Sequence, residues 1–224
     1  TAPPSNAAAL DAANRCIAAQ GGSDERYGRR GYIHRLMGNY DLAEADATRR
    51  IEISRSGSAY RSRALIRQDA GRHEQAIADF RESLRRGYNR PVWVHREISR
   101  SLRLLEKYAE ALTAVEASLA IDPTHDLALY ERGRIYFDQE RWDEAAGAFT
   151  RYIAVNGSNA EAYVYRSTSF VRLERWNEAL ADAERAIQIN PRSANGFNNR
   201  GVSLHNLGRY SESVAALRRS IQLD

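Results

Sequence analysis

The chain has 224 residues, 43% of them hydrophobic and 28% charged, with a formal net charge of +4. That apolar share and that small net charge exclude a disordered polyelectrolyte and supply a sizeable core. No apolar run is long enough to cross a bilayer, and the one cysteine, Cys16, excludes an internal disulfide or a cysteine-based zinc knuckle.

The charge is unevenly spread. Residues 1–112 carry 20 basic and 14 acidic residues, a net +6, whereas residues 113–224 carry 13 and 15, a net −2. Nearly all the cations are arginine, with Lys107 the sole lysine. Acidic residues interleave with them and no basic run exceeds two residues, so no nucleic-acid partner is expected. The chain starts at Thr1, which leaves the compartment open: cytoplasmic, or periplasmic or secreted if Thr1 is a processed N-terminus.

In chain order, residues 1–23 form an N-terminal segment whose 6–19 stretch reads as one helix, with Ala9, Cys16 and Ile17 on its core face. Six units follow, at 24–56, 57–91, 92–125, 126–159, 160–193 and 194–224. A small residue recurs as Ala9, Ala43, Ala76, Ala111, Ala145, Ala179 and Ser213, in steps of 34, 33, 35, 34, 34 and 34. An aliphatic residue keeps the same step from Ile17 to Ile221, and a second small column runs Gly31, Ala64, Ser99, Gly133, Ser167, Gly201. Within a unit, Leu129, Gly133 and Tyr136 share one helix face, and Ala145, Phe149 and Tyr152 share another. Each unit is therefore two helices packed closely through small residues, with Trp142 and Trp176 expected as core wedges that open second helices. Asp122-Pro123, Asn156-Gly157 and Asn190-Pro191 end the units.

These columns resemble the tetratricopeptide repeat family. The motif residues are Tyr163, Trp176, Ala179, Ala186 and Pro191 in the fifth unit, and Phe197, Gly201, Leu207, Gly208 and Tyr210 in the sixth. The pentatricopeptide family lacks this combination of small column and aromatic junction. The resemblance implies an all-α fold, a right-handed superhelical solenoid of antiparallel helix pairs, with residues 6–19 standing as the second helix of an incomplete seventh unit. His34 and Arg67 depart from it, because they occupy an inward column that is usually apolar.

Catalytic chemistry is not suggested. The histidines His34, His73, His95, His125 and His205 lack ligand spacing, no phosphate loop is present, and the carboxylates form no converging dyad. No metal or cofactor is expected. The family resemblance implies instead a concave surface lined by the first helices, where a peptide of a partner protein binds. The spacing gives its stripes: Glu25, Gly28, Tyr32, Arg35; Ser58, Arg61, Leu65, Gln68; Trp93, Arg96, Arg100, Arg103; Leu127, Tyr130, Arg134, Phe137; Glu161, Val164, Thr168, Val171; and Asn195, Asn198, Val202, His205, with Asn199 beside them.

From these stripes the candidate binding residues are Tyr32, Arg61, Trp93, Arg96, Arg100, Arg103, Tyr130, Arg134, Phe137, Asn198 and Asn199. Arginine and aromatic side chains make hot spots, and asparagine suits an extended backbone. The expected function is a non-catalytic scaffold for a protein or peptide partner of acidic character. The alternatives are a repeat domain that regulates, or presents substrate to, a larger enzyme, and self-association through the last unit. Pairing of Arg96, Arg100 and Arg103 with Glu97, Glu131 and Asp138 would instead make the middle stripes a salt-bridge lattice. The family's chaperone-tail pattern fails, since Arg61 is followed four places on by Leu65 and Arg96 by Arg100.

Overall fold

A computed structural model describes residues 5–224; Thr1, on which the idea of a processed end rests, lies outside them. Among the described residues there are thirteen α-helices and no strand. A single helix, α1 (Asn6–Gln20), precedes six pairs: α2 (Asp24–Leu36) with α3 (Tyr40–Ser54), α4 (Gly57–Asp69) with α5 (His73–Arg85), α6 (Pro91–Leu104) with α7 (Tyr108–Ile121), α8 (Asp126–Asp138) with α9 (Trp142–Val155), α10 (Ala160–Arg172) with α11 (Trp176–Ile189), and α12 (Ala194–Asn206) with α13 (Tyr210–Leu223). The chain divides into two compact units, Thr1–Ala114 and Val115–Asp224, and the division falls inside α7. The fold is the all-α solenoid of helix pairs expected from the repeat columns.

Local chemistry starts and stops these helices. Side chains of Ser5, Ser23, Ser56, Asn159 and Ser193 accept backbone N–H groups at the start of α1, α2, α4, α10 and α12. At α8 the cap is His125, whose Nδ1 accepts from the Ala128 N–H at 3.2 Å. Pro91 opens α6 rather than closing the preceding unit, because a first-turn proline gives up no intrahelical hydrogen bond. The turn inside each pair needs a left-handed residue. Gly38, Gly71 and Gly208 fill it at φ 75°, 74° and 77°, but Glu106, Glu140 and Glu174 fill it at 58°, 56° and 58°.

The closest approach within each pair lies where two small residues face each other, twelve positions apart. Gly31 stands against the Ala43 carbonyl, and Ala64 and Gly133 precede Ala76 and Ala145 by the same twelve positions; all six are buried. Where a hydroxyl replaces hydrogen, it bonds across the gap. Ser99 Oγ donates to the Ala111 carbonyl at 2.9 Å, Ser167 Oγ to Ala179 at 2.7 Å, and Ser213 Oγ to Gly201 at 2.7 Å. Above these contacts sit the large core side chains Phe80, Leu129, Ile135, Phe149 and Leu204.

Two expectations need correction here. Trp142 and Trp176 are half-buried, and Trp142 packs on Phe137 and Arg172 rather than in the interior, where Phe149 and Phe170 are buried. Cys16 is also only half-buried, because α1 packs on α2 alone and buries none of its residues.

A ladder of arginines ties second helices to first. Arg30 holds Asp46 bidentately at 2.8 and 2.6 Å, Arg63 holds Asp79 at 2.8 and 2.8 Å, and Arg166 holds Asp182 at 2.7 and 2.7 Å. Each carboxylate lies sixteen residues after its arginine. Where that position is Ala148 or Ala216, the arginine turns back sixteen residues, Arg132 to Glu116 and Arg200 to Glu184, both at 3.3 Å. In the α6–α7 pair the two positions are Ile98 and Ala114, so an apolar pair replaces the ionic one.

The departures in the inward column find partners or stay orphaned. Arg67 pairs with Glu44 at 2.7 Å and shares Asp79 with Arg63 at 2.8 Å. Buried His34 keeps its Nδ1 without a hydrogen-bond partner among the described residues. Burial alone would raise the Glu44 carboxyl, but hydrogen bonds from Arg67 and Arg72 outweigh it and hold Glu44 below its ordinary range. Asp182 goes the other way: burial outweighs Arg166 and pushes it up.

Two outcomes follow from this packing. A Cβ at Gly133 would lie 2.8 Å from the Phe149 ring, which is fully buried and stacked on Tyr165. Gly133→Ala should therefore destabilise by about 1–3 kcal/mol through overpacking, against a gain of about 1 kcal/mol in helix propensity. A urea titration that finds it more stable than wild type would refute the close approach. The Glu44 stabilisation is complete above its unfolded pKa, about 4.3, and is lost as pH falls through the depressed folded value. Glu44→Gln should then lower stability at pH 7 by roughly 1–2 kcal/mol and flatten the acid limb of a melting-temperature profile. Parallel profiles for the two proteins would contradict the assigned pairing.

Candidate partner-binding face

In the Thr1–Ala114 unit the first helices α2, α4 and α6 carry three of the expected stripes. Polar rungs join them one repeat apart. Arg35 Nε donates to Asp69 Oδ2 at 2.6 Å, and Gln68 Nε2 donates to Ser101 Oγ at 2.9 Å and to the Glu97 carbonyl at 3.1 Å. Tyr32 is 56% exposed and Trp93 38%. The Arg96 guanidinium stands 5.9 Å from the Trp93 ring and 3.0 Å from the Glu97 carboxylate. Arg100 is exposed, with Glu97 at 4.0 Å. Arg61 lies 5.4 Å from the Tyr88 ring centroid and pairs with no carboxylate among the described residues.

Arg103 departs from expectation. It is 8% exposed and engaged internally, so it offers no ligand contact. Arg96 and Arg100 both stand beside Glu97, at 3.0 and 4.0 Å, as the lattice alternative requires, although Arg96 Nε and Glu97 Oε2 have no hydrogen-bond partner among the described residues; Arg61 lies outside that lattice.

The same unit holds a cavity of about 270 Å³ between α2, α3 and α4, lined by Tyr27, Gly28, Gly31, Tyr32, Arg35, Ala47, Arg50, Arg61, Ser62, Leu65 and Ile66. Arg50 forms one wall, fixed by Asp24 at 3.0 Å and Ser62 at 2.8 Å. Burial would raise the Asp24 carboxyl, but the Arg50 hydrogen bonds reverse this and hold it low. The sequence carried a signal for this cavity. Gly28 occupies the column that holds Arg61, Arg96, Tyr130, Val164 and Asn198 in the other pairs, and it lines the cavity.

In the Val115–Asp224 unit the aromatic residues expected to meet a ligand pack on one another. The Tyr130 ring meets Phe149, Tyr152 and Tyr165 edge-on at 5.8, 5.2 and 6.2 Å. Phe137 meets Trp142 at 5.3 Å and Tyr165 at 4.8 Å, and Tyr165 stacks on Phe149 at 5.3 Å. Arg134 lies 4.7 Å over Tyr165. Tyr130 Oη donates to Glu161 at 2.7 Å, and burial together with that carboxylate pushes its pKa far up.

Tyr130, Arg134 and Phe137 are thus half-buried parts of an internal cluster around Tyr165, a residue that the stripes omitted because it sits one place beyond Val164. Asn199 is corrected outright. It is 6% exposed, and its amide donates to Thr168 Oγ1 at 2.8 Å and to the Val164 carbonyl at 3.3 Å. Its neighbour Asn198 stays exposed.

Among the described residues no group of three or more His, Cys, Asp or Glu side chains is placed to hold a metal ion, and no helix is long and apolar enough to cross a membrane.

A family model for the tetratricopeptide repeat matches residues 61–126, 96–162 and 166–224. No curated protein sequence matches the chain. Among solved structures, MamA 41-end from Desulfovibrio magneticus RS-1 is similar at 18% identity and TM-score 0.69, over 75% of this chain and 94% of that one. A second MamA structure matches at 19% identity and TM-score 0.67, over 75% and 91%. The APC/C hetero-tetramer Cut9–Hcn1 matches at 14% identity and TM-score 0.74, over 98% of this chain and 43% of that one. At these identities the likeness is one of fold. The repeat columns, the helix pairs and the family matches agree, and the chain belongs to the tetratricopeptide repeat family.

Proposed function

We propose that this protein-interaction scaffold acts without catalysis, and docks an acidic peptide segment of a partner protein on the first-helix face of its Thr1–Ala114 unit. The supporting observation is the uneven pairing of arginines on that face. Arg35 and Arg96 have carboxylates close by, at 2.6 and 3.0 Å, whereas Arg61 has only an aromatic ring and Arg100 has a carboxylate at 4.0 Å. The net +6 of this half supplies long-range attraction for an acidic partner. Exposed Tyr32 and Trp93 add apolar anchors on the same face as Arg61 and Arg100.

The roles divide by physics. Exposed charge raises the encounter rate and fixes register, whereas a desolvated aromatic slows dissociation. An array of 12-residue peptides rich in Asp and Glu, each with one central Leu or Phe, provides the probe. Arg100→Glu should lower the association rate about tenfold at low salt and flatten its salt dependence. Trp93→Ala should instead speed dissociation, at a cost of about 2 kcal/mol in affinity. Binding that ignores both changes, or that maps to the exposed Leu42 and Ile53 of α3, would defeat this assignment.

A further inference from the structure

We infer that the cavity between α2, α3 and α4 is a socket for one apolar side chain of the docked peptide, whose adjoining carboxylate is held by Arg61. This rests on the peptide-docking role proposed above and names the motif it would select. The cavity, at about 270 Å³, falls below the roughly 300–1,000 Å³ of small-molecule sites and suits a single side chain. Its floor is apolar, made by buried Ala47, Ile66 and Gly31, and its rim includes Tyr32 and Leu65. Gly28 borders it, against the Arg50 wall. A Cβ there would already lie 3.2 Å from Arg50 Cδ.

Charge decides what sits at the rim. Three guanidinium groups line the cavity, and two are neutralised from within: Arg50 by Asp24 at 3.0 Å and Arg35 by Asp69 at 2.6 Å. Arg61 has no carboxylate among the described residues and leans on the Tyr88 ring at 5.4 Å. An occupant that is apolar against the floor and anionic where it meets Arg61 complements this lining. A peptide with Leu or Phe beside Asp or Glu meets both conditions. A guanidinium hydrogen-bonds such a carboxylate bidentately, which fixes the register of the chain that carries it.

Fluorescence anisotropy with labelled acidic 12-residue peptides tests this. The peptides differ only in a central Leu, Phe, Ala or Ser, and in Glu or Gln beside it. Wild type should bind the Leu and Phe peptides at least tenfold tighter than the Ala peptide. Gly28→Leu, which fills the socket with a residue of higher helix propensity, should bind all four alike, at the wild-type level for Ala. Arg61→Met should keep the preference for Leu but lose the preference for Glu over Gln. Circular dichroism melts establish that both variants are folded.

Equal wild-type affinity for Leu and Ala peptides, or a preference that survives Gly28→Leu, overturns the socket and leaves peptide docking standing. Absence of any peptide binding by folded wild type overturns the docking proposal and the socket with it. A wild-type dimer in sedimentation that Gly28→Leu dissociates would show that a second copy fills the cavity, and would also overturn the inference.

Discussion

Each helix pair depends on a backbone approach that only small residues permit. Gly31, Ala64, Ser99, Gly133, Ser167 and Gly201 stand opposite Ala43, Ala76, Ala111, Ala145, Ala179 and Ser213, and nothing larger than a hydroxyl occupies the gap. Close-packed interiors have little slack, so this single distance sets where every larger side chain goes. Phe149 lies directly against Gly133, and Leu217 against Gly201, where an added Cβ would come within 2.6 Å of the leucine. The serine hydroxyls show how tight the fit is, since each reaches a backbone carbonyl across the gap at 2.7–2.9 Å.

The arginine ladder shows a second constraint, which is satisfied in several ways. A cation beside the small column must find an anion, because a half-buried guanidinium left alone is costly. The chain meets this with a carboxylate sixteen residues ahead, a carboxylate sixteen residues behind, or removal of the cation altogether, as at Ile98. The recurrence of Arg30, Arg63, Arg132, Arg166 and Arg200 thus has a structural cause.

The fold was legible because it rests on columns. Small residues, aliphatic positions and unit ends repeat with one drifting period, so each unit repeats the pattern of the last. The left-handed turn position was less legible, since Glu106, Glu140 and Glu174 stand where glycine would have announced it. The candidate site was legible only in part. Spacing placed Tyr130, Phe137 and Arg134 on one stripe, but it carries no information on whether a neighbouring helix covers that stripe. Tyr165 covers it here, through a ring that stacks on Phe149 and receives Arg134 on its face. Asn199 was misplaced for a related reason: one step around the helix from Asn198 turns a side chain from solvent towards Thr168.

The surviving surface follows from competition between holding neighbours and holding ligands. Side chains on the first helices reach the next first helix about one repeat away, as Arg35 reaches Asp69, Gln68 reaches Ser101, Tyr130 reaches Glu161 and Asn199 reaches Thr168. Every such rung removes a polar group from a ligand's reach. A side chain escapes when the equivalent positions on either side offer no complement. Arg61 is flanked in its column by Gly28, which has no side chain, and by Arg96, which repels it and is drawn to Glu97. The same glycine that leaves Arg61 without a lateral partner also lines the cavity beside it. Free charge and empty volume thus lie side by side, where the neighbouring first helix carries glycine in the column of Arg61.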